Sequence, residues 1–386
     1  MLEDKKIHIL YIVGKMMRAG TETWLMHVLR HINRKRFQID FLVQTSELCD
    51  YNNEIRALGS RVFPCLHHRQ PWIFAYNFKN ILNKYGPYDI IHSHITQYNG
   101  FIMKLAYSAG IPVRIAHSHL DISFSEGKAG FFKKRYSILM KYWINKYATT
   151  GLAASRIAAK TVFGDDWELD RRWKVFYCSI DLDPFYSSVR QSVIRTELGI
   201  PAEALVIGHV GKFREQKNHA FLIDIFSEII KRDHNIRLLL VGDGNLYPEI
   251  KEKVRLMGLS NYVIFLGARS DIPRLMLGAI DIFLLPSFFE GLPLVLIEAQ
   301  SAGLPCVISD VITEEMDIVK PLINRISLMQ PADLWADAVF SVKSSNRPIG
   351  QKESLNMMAN SPFNVNLSIK TLEDLYVCKV KKHEYC

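Results

Sequence analysis

The sequence predicts an α/β protein built from two doubly wound domains, each with a parallel sheet covered by helices on both faces. Short, almost wholly apolar runs alternate with longer amphipathic stretches, as expected for strands that are buried on both faces. These runs form two series, separated by the charge-rich segment 165–200. The length of 386 residues also suits two domains.

The predicted elements follow in chain order. The first series of strands is predicted at 7–13, 37–43, 88–93 and 111–116. The second series is predicted at 205–210, 236–241, 262–266, 280–285 and 304–308. The clearest helix covers 220–231, where apolar residues at i, i+1, i+4, i+5, i+8 and i+9 form one stripe.

Composition excludes several classes of protein. An apolar fraction of 48% excludes a wholly disordered chain. No apolar run is long enough for a membrane-spanning helix, and the N-terminus leads into a strand rather than a signal peptide, so we expect a cytoplasmic protein. The six cysteines are scattered without a CxxC pair, which indicates reduced thiols without a metal or disulfide framework.

The net charge of +9 is unevenly distributed. Residues 1–200 contain 28 Lys and Arg against 17 Asp and Glu, whereas the remainder contains 20 against 22. We therefore expect the first half to meet an anionic partner, for which nucleic acid, a membrane surface and a phosphorylated substrate are candidates.

The loop after the strand at 205–210 reads Gly-Lys-Phe-Arg-Glu-Gln-Lys-Asn, from Gly211 to Asn218. Its lysines, Lys212 and Lys217, lie five residues apart at the carboxyl end of a strand, and no neighbour of Lys217 in sequence is acidic. Such a loop can hold a diphosphate. The alternative is an exposed basic loop that opens the following helix.

The loop after the strand at 280–285 leads into a helix that is predicted to start near Pro293. The first backbone N–H groups of this helix, on Leu294 and Val295, can bind a phosphate together with the helix dipole. The carboxylates of Glu290 and Glu298 would repel a phosphate, so they suit sugar hydroxyls better. The alternative is a loop carboxylate followed by an exposed helix glutamate.

Two His-Ser-His triplets, 92–94 and 117–119, end predicted strands, and alternation places both histidines of each triplet on one face. Four histidines suggest zinc, but without a nearby acidic or cysteine pattern we expect no metal. After the first strand, Gly20 allows close approach of the backbone to a phosphate or sugar. The alternative for that loop is a simple strand-to-helix turn.

The segment 128–146 contains six cations interleaved with aromatic residues, and no acid occurs from 127 to 164. Helices of this kind lie on anionic lipid, with their rings at the level of the headgroups. We expect it to hold the protein on the inner face of the cytoplasmic membrane. The alternative is a core helix with a solvated basic face.

The segment EGLPLVLIEAQSAGLP, preceded by GKFREQKN and VGDG, strongly resembles the retaining glycosyltransferases of family 4. The resemblance implies the GT-B fold, two Rossmann-like domains that face a central cleft. It implies an acceptor domain at 1–185, a nucleotide-sugar domain at 186–365 and a tail at 366–386 that is a candidate to pack back on the first domain.

The same resemblance implies transfer of a hexosyl or N-acetylhexosaminyl group from a nucleoside diphosphate sugar, without metal or cofactor. The acceptor would be a glycan or lipid-linked glycan in bacterial surface polysaccharide synthesis, such as capsule, exopolysaccharide or lipopolysaccharide. No nucleic-acid partner is implied. Two alternatives stay open, a sugar-nucleotide epimerase of the same fold and a non-enzymatic basic RNA-binding protein.

The resemblance also assigns roles to residues. Lys212 and Lys217 would hold the diphosphate, Glu290 the hydroxyls of the donor sugar, and Glu298 the ribose. His117, followed by Ser118, would face the donor sugar, leaving the other three histidines to pack around it. Further donor contacts are implied at Gly20, Gly211, Gly242, Phe265, Leu294 and Val295. Most relatives have Arg in place of Lys212 and a glycine in place of Ala19.

Overall fold

The computed structural model describes residues 6–119, 130–344 and 349–384. The chain divides into two compact units. The first consists of Met1–Ser179 together with Val365–Cys386, and the second of Ile180–Asn364. The chain passes from the first unit to the second after Ser179, whereas the predicted boundary followed residue 185. It returns to the first unit after Asn364, whereas the predicted boundary followed residue 365.

The first unit contains a seven-stranded parallel sheet in the order β3-β2-β1-β4-β5-β6-β7. Its strands are β1 (Ile7–Val13), β2 (Phe37–Val43), β3 (Val62–Pro64), β4 (Ile90–Ser93), β5 (Val113–Ser118), β6 (Thr150–Ala153) and β7 (Trp173–Val175). The central strand β1 pairs in parallel with β2 and β4 and is buried over most of its length, which explains its almost wholly apolar sequence.

The helices of the first unit cover the faces of this sheet. They are α1 (Gly20–His31), α2 (Asn52–Ala57), α3 (Pro71–Tyr85), α4 (Asn99–Ser108), α5 (Phe131–Tyr147) and α6 (Arg156–Phe163). Helices α4 and α5 approach closely at Gly100, where an added Cβ would lie 2.3 Å from the carbonyl oxygen of Met140. Only glycine allows this contact between the two helices.

The second unit contains a six-stranded parallel sheet in the order β10-β9-β8-β11-β12-β13. Its strands are β8 (Leu205–Val210), β9 (Ile236–Val241), β10 (Val263–Phe265), β11 (Ile282–Leu285), β12 (Cys306–Ser309) and β13 (Ile323–Ile326). Its helices are α7 (Gln191–Glu197), α8 (His219–Arg232), α9 (Tyr247–Leu256), α10 (Ile272–Gly278), α11 (Leu294–Ser301), α12 (Ala332–Ser344) and α13 (Gln351–Ala359). The predicted α/β class is therefore confirmed, as two parallel sheets with alternating helices.

The last helix, α14 (Val365–Glu384), belongs to the first unit and contacts α1 and β5. Ile369, Leu372 and Tyr376 on this helix are buried. Burying an aliphatic or aromatic side chain of this size stabilises the fold by about 1.5–3 kcal/mol. The C-terminal segment is thus part of the core of the N-terminal unit.

Each of the nine predicted strands corresponds to an observed strand, with ends shifted by up to about two residues. Four observed strands were not predicted: β3, β6, β7 and β13. Their sequences, VFP, TGLA, WKV and INRI, contain proline, glycine or polar residues and therefore form no continuous apolar run. Among the described residues, no helix is long and apolar enough to cross a membrane.

Candidate functional site

The strand order of the second unit reverses between β8 and β11, so the loops that follow these two strands flank a crevice at the carboxyl edge of the sheet. Hydrogen bonds join the two loops. The side-chain amide of Asn218 donates to the carbonyl oxygen of Pro286 at 3.1 Å, and the N–H of Phe288 donates to the carbonyl oxygen of Gln216 at 2.9 Å. The two predicted phosphate-binding loops are therefore one connected structure.

The turn after β9 packs against the first of these loops. Gly242 has a φ of 145°, and an added Cβ would lie 2.1 Å from the carbonyl oxygen of Gly211. The N–H of Phe213 donates to the carbonyl oxygen of Asp243 at 2.7 Å. Glycine is required at 242 both for its backbone conformation and for this close approach. The turn thereby fixes the path of the backbone at Gly211 and Lys212.

Lys217 lies within reach of Glu290, with 2.5 Å between Nζ and Oε1. The two side chains are only 15% and 6% exposed. The side-chain amide of Gln216 donates to the other oxygen of Glu290 at 3.2 Å. Although neither neighbour of Lys217 in sequence is acidic, the fold brings a carboxylate from a different strand end to it, and the alternative of an exposed basic loop does not fit this lysine. Lys217, predicted to hold the diphosphate, and Glu290, predicted to contact the donor sugar, therefore form one ion pair.

Lys212 is partly buried, and its ammonium group has no ion-pair or hydrogen-bond partner among the residues that the structure describes. Its charge is therefore available to an anion. Helix α11 begins at Leu294, after Pro293, and has no side-chain cap at its N-terminus. The first N–H groups of this helix, on Leu294 and Val295, offer hydrogen-bond donors and the positive end of the helix dipole.

Glu298 lies one turn into α11 and is partly buried. Burial raises the pKa of its carboxyl group from 4.5 to about 7. In the described part of the chain this carboxyl group has no ion-pair or hydrogen-bond partner. A carboxylate that is poorly solvated and unpartnered is suited to accept hydrogen bonds from ligand hydroxyls.

Phe265 lies in β10, and its side chain packs against the hydrophobic core of the second unit. Its ring centroid is 5.4 Å from that of Tyr247 and 6.2 Å from that of Phe213. The side chain is thus occupied by packing, so only the backbone of Phe265 is left for a ligand.

The remaining two candidates, Gly20 and His117, lie in the first unit. Gly20 is the first residue of α1, which follows the loop after β1. An added Cβ at Gly20 would meet no atom within 4 Å, so the packing of the protein itself does not require glycine there. The space beside this helix start is open.

His117 belongs to a cluster of four buried histidines at the carboxyl ends of β4 and β5: His92, His94, His117 and His119. The Nε2 atom of His92 lies 3.2 Å from Nδ1 of His117, and Nδ1 of His94 lies 2.9 Å from Nε2 of His119. Burial lowers the pKa of all four imidazoles, so they are neutral near pH 7.

The cluster continues into residues that the sequence did not point to. The hydroxyl of Tyr376 lies 2.7 Å from Nδ1 of His92 and 2.7 Å from the hydroxyl of Tyr11. The thiol of Cys178 lies 3.3 Å from Nδ1 of His119. Tyr376 is 284 residues away from His92, so no local pattern could have identified this partner.

The ligand nitrogens of His92, His94 and His117 lie within 4.8 Å of one another. The hydrogen bonds inside the cluster, however, leave at most two ring nitrogens uncommitted, the Nε2 atoms of His94 and His117. Structural and catalytic zinc sites use at least three protein ligands. A metal ion bound by three of these histidines would therefore have to replace at least one of the hydrogen bonds inside the cluster.

Matches to known families and proteins extend over both units of the chain. Residues 18–184 match the family described as Glycosyltransferase Family 4, and residues 204–341 match Glycosyl transferases group 1. The chain is 35% identical to the putative glycosyltransferase EpsF of Bacillus subtilis (strain 168), over 99% of both chains. It is 25% identical to the capsular polysaccharide biosynthesis glycosyltransferase CapH of Staphylococcus aureus, over 97% of this chain and 99% of the relative.

Solved structures show the same fold. A crystal structure of Anabaena HepE has a TM-score of 0.78 at 19% identity and covers 96% of this chain and 99% of its own. A glycosyltransferase from Rickettsia africae has a TM-score of 0.79 at 18% identity, over 98% and 99%. The predicted GT-B fold and glycosyltransferase activity are thus confirmed, against the non-enzymatic alternative. The chain belongs to the family 4 glycosyltransferases of group 1, and its relatives include glycosyltransferases of surface polysaccharide biosynthesis.

Proposed function

We propose that the protein transfers a sugar, with retention at the anomeric carbon, from a nucleoside diphosphate sugar that binds at the carboxyl edge of the second sheet. One observation carries this assignment: two lysines and the uncapped start of α11 lie on the two bonded loops that flank the reversal of strand order. A diphosphate is the ligand that this set of cations and N–H groups suits best.

In the proposed reaction, the bond between the anomeric carbon and the β-phosphate oxygen breaks, and the departing nucleoside diphosphate gains negative charge. Lys212, Lys217 and the N–H groups at the start of α11 stabilise this charge. The acceptor hydroxyl attacks the face that the leaving group vacates, and its proton passes to the departing phosphate. Glu290, oriented by Lys217 and Gln216, accepts hydrogen bonds from hydroxyls of the donor sugar.

Uridine diphosphate sugars are the first donors to test. The crystal structure of Anabaena HepE contains UDP and glucose, and a relative from Escherichia coli is named for UDP-Gal. That relative is 26% identical over 96% of this chain and 97% of its own. We infer a hexose or N-acetylhexosamine donor.

We infer a lipid-linked glycan as the acceptor, at the inner face of the cytoplasmic membrane. The name of the same E. coli relative includes a diphosphoundecaprenol acceptor. In the structure, α5 supports this inference. Phe131, Phe132, Ile138 and Tyr142 on this helix are exposed, while its other face packs on α4. Residues 128 and 129 of the predicted basic segment lie outside the described residues.

The test combines binding with product analysis. The full chain is screened for thermal stabilisation against a panel of sugar nucleotides, since a ligand at 100 times its dissociation constant adds about 2.7 kcal/mol. The stabilising donor is then incubated with and without a lipid-linked acceptor. Acceptor-dependent release of the nucleoside diphosphate supports transfer. Isomerised sugar nucleotide without acceptor would identify an epimerase instead.

A further inference from the structure

The backbone pairing between β8 and β11 stops before either strand ends. In the described structure, the last pair that joins them is Gly208 with Phe283. On their outer sides, β8 stays paired with β9 as far as Val210, and β11 stays paired with β12 as far as Leu285. The crevice between the two donor loops therefore opens inside the sheet, directly after Gly208 and Phe283.

The side chain of His209, the next residue of β8, spans this opening. Its Nδ1 atom lies 2.9 Å from the carbonyl oxygen of Leu284, the next residue of β11. A carbonyl oxygen can only accept a hydrogen bond, so Nδ1 has the proton and donates it. His209 is fully buried, and burial lowers its pKa, so the ring is neutral. An imidazole thus continues the link between the strands where their backbones separate.

The other ring nitrogen of His209, Nε2, lies beside Gly211 at the start of the lysine loop. A Cβ added to Gly211 would lie 3.2 Å from this Nε2 and 3.2 Å from both Cδ and Cε of Lys217. The imidazole and the stem of Lys217 therefore border the same narrow space next to the backbone of Gly211.

A second buried histidine packs against this imidazole from α8. The ring centroid of His219 lies 4.7 Å from that of His209, edge to face, and 4.1 Å from that of Phe213, on which it is stacked. Neither ring nitrogen of His219 has a hydrogen-bond partner among the described residues. His219 thus contacts His209 by packing alone, which makes it a matched control for the hydrogen bond of His209.

We propose that His209 is a positioning residue that acts through Lys217. Its hydrogen bond to Leu284 sets the spacing of the two donor loops at their base, because β8 leads directly into the loop with Lys217 and β11 into the loop with Glu290. The ammonium group of Lys217 is thereby held at Glu290. That this ammonium group serves a diphosphate rests on the proposed function; its placement by His209 does not.

Urea unfolding of the full chain tests this placement without reference to activity. Lys217→Met removes the cation beside Glu290 and should lower the unfolding midpoint. His209→Phe keeps a ring but leaves the carbonyl of Leu284 without its donor, so Lys217→Met should lower the midpoint by less than about half as much in this background. In the control background His219→Phe, the effect of Lys217→Met should equal that in the wild type. An equal effect in all three backgrounds would overturn the inference.

Initial rates test the link to the reaction. A misplacement of about 1 Å can cost about 10²-fold, and the contact with the departing diphosphate strengthens in the transition state, so His209→Phe should lower turnover about 10- to 100-fold and change the donor KM less. In the Lys217→Met background, the same substitution should lower turnover by less than about threefold. His209→Asn keeps a side-chain N–H near the position of Nδ1 and should stay within about threefold of the wild type. The control His219→Phe should stay within about twofold.

The two measurements separate the inference from the proposed function. If His209→Phe lowers turnover by the same factor with and without Lys217→Met, or if His209→Asn is no more active than His209→Phe, the inference is overturned. If the unfolding midpoints show the expected coupling but no variant loses turnover, the inference stands and the proposed contact of Lys217 with the diphosphate is wrong. If His209→Phe does not fold, His209→Leu removes the same donor with a smaller side chain and takes its place in both measurements.

Discussion

At the scale of single residues, the ion pair between Lys217 and Glu290 links two proposed roles in donor binding. Charge on the departing diphosphate grows in the transition state, and losing one preorganised donor of this kind costs about 10²–10³ in turnover. We expect Lys217→Ala to lose activity by about this factor. Initial rates at saturating donor measure it. Turnover near that of the wild type would contradict the diphosphate assignment.

The same substitution leaves Glu290 buried without its partner. Breaking a buried ion pair in this way typically costs about 3–5 kcal/mol, so Lys217→Ala should also melt at a lower temperature. The double variant Lys217→Met with Glu290→Gln removes both charges and should regain most of that stability. It should not regain activity. A double variant as unstable as Lys217→Ala would show that the loss does not come from the unpaired carboxylate.

Glu298 should serve donor binding more than catalysis. Hydrogen bonds to the ribose are similar in the ground and transition states, so Glu298→Gln should raise the donor KM more than it lowers turnover. Because the pKa of Glu298 is about 7, the ionised fraction falls about tenfold between pH 8 and pH 6, and the wild-type donor KM should rise by up to that factor. In Glu298→Gln this part of the pH dependence should be absent. A fall in turnover at unchanged donor KM would contradict the ribose assignment.

The raised pKa of Glu298 also affects stability. Folding raises this pKa from 4.5, so its protonated form is favoured in the folded protein. The contribution of this pKa shift to the free energy of unfolding is fully present below pH 4.5 and is lost as the pH rises through about 7. Relative to the wild type, Glu298→Gln should therefore become more stable on going from pH 5 to pH 8. Urea unfolding at the two pH values measures this difference, and a constant difference would argue against a shifted carboxyl.

At the scale of elements, α5 exposes large apolar side chains, which is unusual for a helix that faces only water. Phe132 is 86% exposed, and Phe131 beside it is also exposed. Burying each ring in a membrane would contribute about 1.5–3 kcal/mol. The variant Phe131→Asp with Phe132→Asp should therefore bind anionic vesicles at least tenfold more weakly in sedimentation assays. Leu169→Asp is the control, since Leu169 is 83% exposed on the same unit outside α5. If the wild type, the double variant and Leu169→Asp bound the vesicles equally well, the proposed role of α5 in membrane binding would be wrong.

At the scale of the whole molecule, the chain returns to its first unit through α14. Removing residues 365–386 would expose the pocket that Leu372 and Tyr376 fill, and losing one large core side chain costs about 2–5 kcal/mol. We expect this truncation to unfold the first unit at a much lower temperature. A chain that ends at Lys381 loses Lys382 and His383, which are exposed, and no buried residue of the described part of α14, so it should melt like the full chain. If both truncations melted alike, α14 would not belong to the core of the first unit.

The class of fold, the long strands and the loops that carry the proposed donor site could all be predicted from the order of the amino acids. These features are local: apolar runs define buried strands, glycine and proline mark turns, and the residues of one loop adjoin one another in the chain. The strand ends with Lys212, Glu290 and Glu298 were therefore visible without a structure. The strands β6 and β7 were not visible, because their sequences, TGLA and WKV, contain glycine or polar residues and form no continuous apolar run.

The contacts between these parts, in contrast, could be read only from the folded protein. The pairing of Lys217 with Glu290 joins residues 73 positions apart, and the contact of Tyr376 with His92 joins residues 284 positions apart. The burial that shifts the pKa of Glu298 and neutralises the histidines likewise depends on elements that are distant in sequence. Desolvation, hydrogen-bond direction and charge pairing are properties of three-dimensional neighbours. No local pattern of residues specifies them.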